Sequence, residues 1–277
     1  NPSLVGSEMC IRDRFEEGLI ISPPKKKLSL EFLLLQELEK NKIIASIISF
    51  RNFNLLFLRI FMLSVSNLSL QFGKRILFDE VNITFSPGNC YGIIGANGAG
   101  KSTFLKILSK DLEPNTGSVF IEPGKRLSVL EQNHNRYDQN TVIETIILGN
   151  QKLFDLKSEI DSIYAKEDFS DKDADRVGEL QASFEEMNGW NADADAAFLL
   201  SSLGITEDVH HNQMSDLDQK VKVKVLLAQC LFGNPDVLIM DEPTNDLDYS
   251  SVEWLTNFIN EFENTVIVVS HDRFFLD

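Results

Sequence analysis

The strongest chemical signal in this chain is an eight-residue run, Gly95-Ala-Asn-Gly-Ala-Gly-Lys-Ser102. It fits the pattern G-x-x-x-x-G-K-[ST] without a mismatch. Those residue types suit one task. Glycines let backbone N–H groups close round phosphate oxygens, a helix N-terminus adds the positive end of its dipole, and a lysine reaches the outer phosphates. Gly95, Asn97, Gly98, Ala99, Gly100, Lys101, Ser102 and Thr103 are therefore the candidate phosphate-binding residues, and the Ser102 hydroxyl is a candidate Mg²⁺ ligand. A second signal follows the loop by about 140 residues: Val237-Leu-Ile-Met-Asp-Glu242, an apolar run that ends in two carboxylates. At the end of a strand, Asp241 would help to hold Mg²⁺, and Glu242 would polarise an attacking water as general base.

These groups need elements to aim them. Cys90–Ile94 reads as a buried strand before the glycine loop, and Phe104, Leu105, Ile107 and Leu108 fit one face of a helix after it. Leu63, Val65, Leu68 and Leu70 mark a strand that ends at the turn Gly73-Lys74-Arg75, and Val81–Phe85 marks another. Strands are expected over Ser118–Ile121 and Leu127–Leu130. Residues from about 140 to 212 read as a helical, acidic insertion. Leu153, Leu156, Ile160 and Ile163 form one apolar stripe, and Val177, Leu180, Phe184 and Met187 a second. The polar link between the stripes predicts an antiparallel helical hairpin, with a capping box at Ser170–Asp173. A further helix is expected over Asn191–Leu203, then helix Lys220–Phe232, strand Val237–Met240, helix Ser251–Phe262 and strand Thr265–Val269. The fold class is α/β: a cassette with a mostly parallel core sheet, an antiparallel β subdomain and a helical hairpin insertion.

The net charge of −16 excludes a nucleic-acid surface spread over the whole chain, but leaves room for a local basic patch or a protein partner. The three cysteines, Cys10, Cys90 and Cys230, lack metal-ligand spacing and read as reduced thiols, two of them in the core. Residues 1–61 differ from the rest: they carry nine Lys and Arg against seven Asp and Glu, which leaves −18 on the remainder. Their apolar patch, within Ile43–Val65, is interrupted by Arg51, Asn52, Asn54 and Arg59, a poor match to a membrane span or a secretory signal. Asn1–Arg14 is similar to translated sequencing-adapter sequence, so 1–61 is expected to be a non-native or unstructured extension and Met62 the native start, with one ATPase domain over 62–277.

Gly95–Ser102, Gln132, Asp241-Glu-Pro-Thr-Asn-Asp-Leu-Asp248 and Ser270-His-Asp-Arg273 together resemble an ATP-binding cassette ATPase, and the sequence around Asp241–Asp248 resembles the ABC-F class most. That resemblance implies a P-loop NTPase that binds ATP and Mg²⁺, with the 140–212 insertion as the arm of a first cassette. It implies that Phe72 stacks on adenine, that Gln132 contacts Mg²⁺ and the attacking water, and that His271 hydrogen-bonds the γ-phosphate. His134, His210 and His211 read as surface residues. The resemblance further implies a cytoplasmic protein that hydrolyses ATP, a second cassette in the same full-length chain, the ribosome as partner and no membrane partner. The alternative is the ATP-binding subunit of a membrane transporter. Cassettes of this kind hydrolyse ATP in head-to-tail pairs, so this chain alone is expected to bind ATP·Mg²⁺ and turn over slowly.

One stretch departs from the family. Its Leu-Ser-Gly-Gly-Glu signature is replaced by Leu217-Asp-Gln-Lys-Val221, or, in a register shifted by three, by Met214-Ser-Asp-Leu-Asp218. In the first register Asp218 would face the γ-phosphate bound by a partner cassette and weaken that site.

Overall fold

The computed structural model describes residues 20–21 and 62–270. In chain order the strands are β1 (Ile20–Ile21), β2 (Leu63–Phe72), β3 (Arg75–Phe85), β4 (Cys90–Ile94), β5 (Thr116–Ile121), β6 (Leu127–Val129), β7 (Val237–Asp241) and β8 (Thr265–Val269). The helices are α1 (Lys101–Leu108), α2 (Val142–Ile147), α3 (Gln151–Tyr164), α4 (Asp171–Glu186), α5 (Ala192–Ser202), α6 (Gln219–Leu231) and α7 (Tyr249–Glu261). The chain divides into two compact units. Among the described residues, the first holds those up to Leu127 with 236–242 and 261–270; the second holds Ser128–Pro235 and Pro243–Asn260.

In the first unit β4, β8 and β7 run parallel, with Ile93 opposite Val269 and Val269 opposite Asp241. β7 and β8 are apolar throughout except at Asp241 and Thr265, and all but Asp241 are buried, as strands covered on both faces require. β1 pairs antiparallel with the outer edge of β4. β2 pairs antiparallel with β3 and β5 in a separate three-stranded sheet. One core joins these elements, with Phe78 edge-on to Phe104 of α1 at 5.6 Å and Phe85 edge-on to Tyr91 at 5.0 Å.

β3 is six residues longer than Val81–Phe85, the strand expected from sequence. The cause is a pair of irregularities. Asn67 and Glu80 take left-handed φ values of 49° and 48°, and the β2–β3 register shifts there. Side chains supply the missing ladder partners: Asn82 Oδ1 accepts from the Asn67 N–H and Ser69 Oγ from the Glu80 N–H. Such bulges break the two-residue alternation on which strand recognition depends.

The second unit is helical. α3 and α4 form the expected hairpin, and its ion pairs fix the direction: Glu159 meets Arg176 while the later Lys166 meets the earlier Asp173. Leu153, Ile160 and Ile163 bury one face, and Val177, Leu180 and Phe184 the other. The capping box at Ser170–Asp173 is present, as is one at Thr141–Glu144. Gly149, after α2, lies so close to α6 that an added Cβ would stand 2.0 Å from the Gln229 carbonyl oxygen.

One expectation is corrected. His210 is buried rather than on the surface, its Nε2 3.2 Å from the Ile205 carbonyl, while its own carbonyl accepts from the Ile143 N–H. Cys90 is exposed at the start of β4 and Cys230 is buried, while Cys10 lies outside the described residues.

Candidate nucleotide site

Gly95–Gly100 leaves the C-terminal end of β4 and turns into α1 at Lys101. The turn needs its glycines. Gly98 and Gly100 adopt φ of 81° and 97°, a region that costs residues with a Cβ roughly 1 kcal/mol or more. At Gly100 the space is also closed, since a Cβ there would meet the Phe78 ring at 3.0 Å. Within the loop the Ala99 N–H donates to the Ala96 carbonyl at 3.1 Å, and the first α1 bond runs from the Phe104 N–H to the Gly100 carbonyl at 2.8 Å.

Helix α1 begins without a side-chain cap and without an acidic residue in its first turn. Its leading N–H groups are thus left for an outside acceptor, and the dipole favours an anion. Lys101 is buried, and its Nζ donates to the carbonyls of Gly95 and Ala96 at 2.9 and 3.2 Å. An ammonium held on its own loop by neutral carbonyls can transfer to a phosphate oxygen at little cost, because the new bonds join opposite charges. Ser102 is exposed and Thr103 half-buried on the same first turn, and Asn97 is exposed in the loop.

Register carries Asp241 to the same edge. Ile93, Val269 and Asp241 lie opposite one another on three neighbouring strands, so Asp241 is two strand spacings, about 10 Å, from the strand that feeds the loop. Glu242 follows at φ 49°, its N–H bonded to the Val269 carbonyl at 2.8 Å and its Oε1 buried. A left-handed non-glycine residue costs of order 1 kcal/mol or more, and such residues concentrate where a side chain must be aimed.

The first unit therefore brings together the loop, Lys101, Ser102, Asp241 and Glu242. Phe72 belongs to the same unit and is 55% exposed at the tip of the β2–β3 hairpin, with a ring free to stack. The other end of that tip, Arg75, was not singled out from sequence; its Nη2 donates to the Gly98 carbonyl at 2.7 Å. Gln132 is exposed in the second unit. Next to it the Glu131 carboxyl is pushed up by burial, but the Asn133 N–H and the Arg136 guanidinium outweigh this and hold it below the usual range. His271 lies outside the described residues.

The residues present suit Mg²⁺ rather than a transition metal. No group of three or more His, Cys, Asp or Glu capable of holding a metal occurs among the described residues. Mg²⁺ is held instead by one or two carboxylates or hydroxyls with waters and substrate phosphates, which Asp241 and Ser102 match.

The departing stretch is also resolved. α6 starts at Gln219 with Asp218 as its cap, whose Oδ1 accepts from the N–H groups of Lys220 and Val221 at 2.9 and 3.1 Å. Ser215 sits in a separate single turn, Met214–Asp216. Asp218, not Ser215, thus caps the start of α6. Further along α6, Lys224 meets Asp248 at 2.6 Å, and the Asp248 Oδ1 accepts from the Ser251 N–H at the start of α7.

Residues 78–245 match the family described as ABC transporter. The chain is 57% identical over 216 residues to YkpA of Bacillus subtilis, an ABC transporter ATP-binding protein, covering 78% of this chain and 40% of that one. It is 31% identical over 208 residues to the energy-dependent translational throttle protein EttA of Mycobacterium tuberculosis, covering 74% and 37%. It spans about two fifths or less of the length of these relatives. Among solved structures, the dimeric post-hydrolysis state of the cassette MJ0796 with ADP and Pi shares the fold, at a TM-score of 0.52 and 20% identity over 77% of this chain and 90% of that one.

Proposed function

Because the chain belongs to the ABC transporter family, whose cassettes bind and hydrolyse ATP, we propose that it is the ATPase cassette of an ABC-F protein acting on translation. The observation that carries ATP chemistry is the open start of α1 behind Gly95–Gly100, on the same sheet edge as Asp241 and Glu242. In this reading the loop N–H groups and Lys101 bind the β- and γ-phosphates, and Phe72 carries the adenine. Ser102 and Asp241 would hold Mg²⁺, which would neutralise phosphate charge. Glu242 takes the proton of the attacking water and His271 steadies the γ-phosphate. The step breaks the bond between the γ-phosphorus and the bridging oxygen, and yields ADP and phosphate.

The translational role is supported by the likeness to EttA and by the helical hairpin α3–α4. No helix among the described residues is long and apolar enough to cross a membrane. The partner in this reading is a second cassette of the same protein, and Asp218 weakens the site that this chain completes on it. Glu242→Gln tests the assignment: ATP affinity should stay within about three-fold while hydrolysis by the two-cassette protein falls at least about 100-fold. Trapped ATP should then hold that protein on ribosomes during sedimentation. Sedimentation free of ribosomes with ATP bound would leave the ATPase and remove the translational role.

A further inference from the structure

The β2–β3 hairpin does more than present Phe72. Phe72 and Arg75 stand opposite each other on the ladder, closed by Gly73 at φ 61° and Lys74, so the two side chains share one rigid tip. From that tip Arg75 Nη2 donates to the Gly98 carbonyl at 2.7 Å, its one hydrogen bond among the described residues. Three residues on, the buried Phe78 ring lies where a Cβ at Gly100 would meet it at 3.0 Å. β3 therefore touches the loop at both glycines whose φ is positive.

That placement bears on how the loop works. A backbone cradle binds phosphate only while its N–H groups face inward and its carbonyls face away. Three carbonyls of this loop are held by cations. Gly95 and Ala96 are held by Lys101, and Gly98 by Arg75. When Lys101 moves to phosphate, the first two lose their partner and the Gly98 carbonyl keeps its own. We propose that Arg75 is a positioning residue for nucleotide binding: its guanidinium fixes the Gly98 peptide so that the loop stays shaped for a triphosphate as Lys101 leaves its carbonyls. This inference rests on the ATP-binding reading above, and it names a residue which that reading does not use.

The test is titration calorimetry of this chain with Mg·ATP and, separately, with inorganic tripolyphosphate, alongside melting of the nucleotide-free protein. Arg75→Met should weaken both ligands about ten-fold, a loss of one charge-assisted hydrogen bond and of loop preorganisation. Melting without ligand should stay within about 2 °C, since Arg75 is exposed. Arg75→Lys, which keeps a donor and the charge, should recover most of the affinity. Unchanged affinity in Arg75→Met overturns the proposal. So does a loss confined to ATP with tripolyphosphate unaffected, which would put Arg75 at the base, and so does a drop in melting alone, which would make its role purely structural. A wild-type chain that binds neither ligand is a different result: it removes the ATP-binding reading itself.

Discussion

Helices α1 and α6 begin in opposite ways. Behind Gly100, α1 opens with no side chain over its N–H groups and a lysine as its first residue. Behind Asp218, α6 opens with a carboxylate already accepting from two of its N–H groups. Both termini carry the same partial positive charge of about half an electron. What separates them is whether the donors are still available. An anion site at a helix start is made as much by leaving donors unspent as by the dipole, and α6 has spent two of its own on an internal anion.

Asp218→Ser sharpens the contrast most. Serine caps as well as aspartate, so the stability of this chain should change by no more than about 0.5 kcal/mol. The negative charge is gone, however. At about 4 Å that charge opposes a phosphate by roughly 1 to 4 kcal/mol, depending on screening. In a two-cassette protein carrying this chain, turnover at the partner's site should rise about ten-fold, measured as steady-state phosphate release. An unchanged rate would mean that the α6 terminus does not approach nucleotide.

A smaller effect concerns the other end of the same helix contact. The Lys224 ammonium, then the Ser250 hydroxyl and the Ser251 N–H, hold the Asp248 carboxyl well below the ordinary carboxylate range. A depressed folded-state value means stabilisation above the unfolded value of about 3.9, lost progressively as pH falls below it. Asp248→Asn keeps the capping oxygen and removes the charge. The variant should be less stable at pH 7 by under about 1 kcal/mol, because the Asp248 side chain is half exposed. Denaturant unfolding should show that gap closing below about pH 4; a gap that widens on acidification would contradict the assignment.

Legibility from sequence followed the reach of the interactions. Thr265–Val269 was readable to the residue because both faces of the strand are buried and every position is apolar or β-branched. The α3–α4 hairpin was readable because stripes and the Ser170–Asp173 cap are local patterns. The start of β3 was not, since the bulge at Asn67 and Glu80 hides its alternation. Nor was Arg75, whose partner is a backbone carbonyl 23 residues away with no side-chain signal of its own. Lys222 is the same case at longer range: a lysine in an apolar run, buried because Asn135 and Asp138 meet its ammonium from 87 and 84 residues away.

In the proposed reading, α1 and its loop form an ATP site complete enough to bind without a partner. Isothermal titration of Mg·ATP into this chain and its Lys101→Met variant tests it most directly. One site per chain is expected in the wild type, and at least about a 100-fold loss in the variant, the size of a buried charge pair to phosphate removed. Equal affinity in the two proteins, or no binding by the wild type, would contradict it.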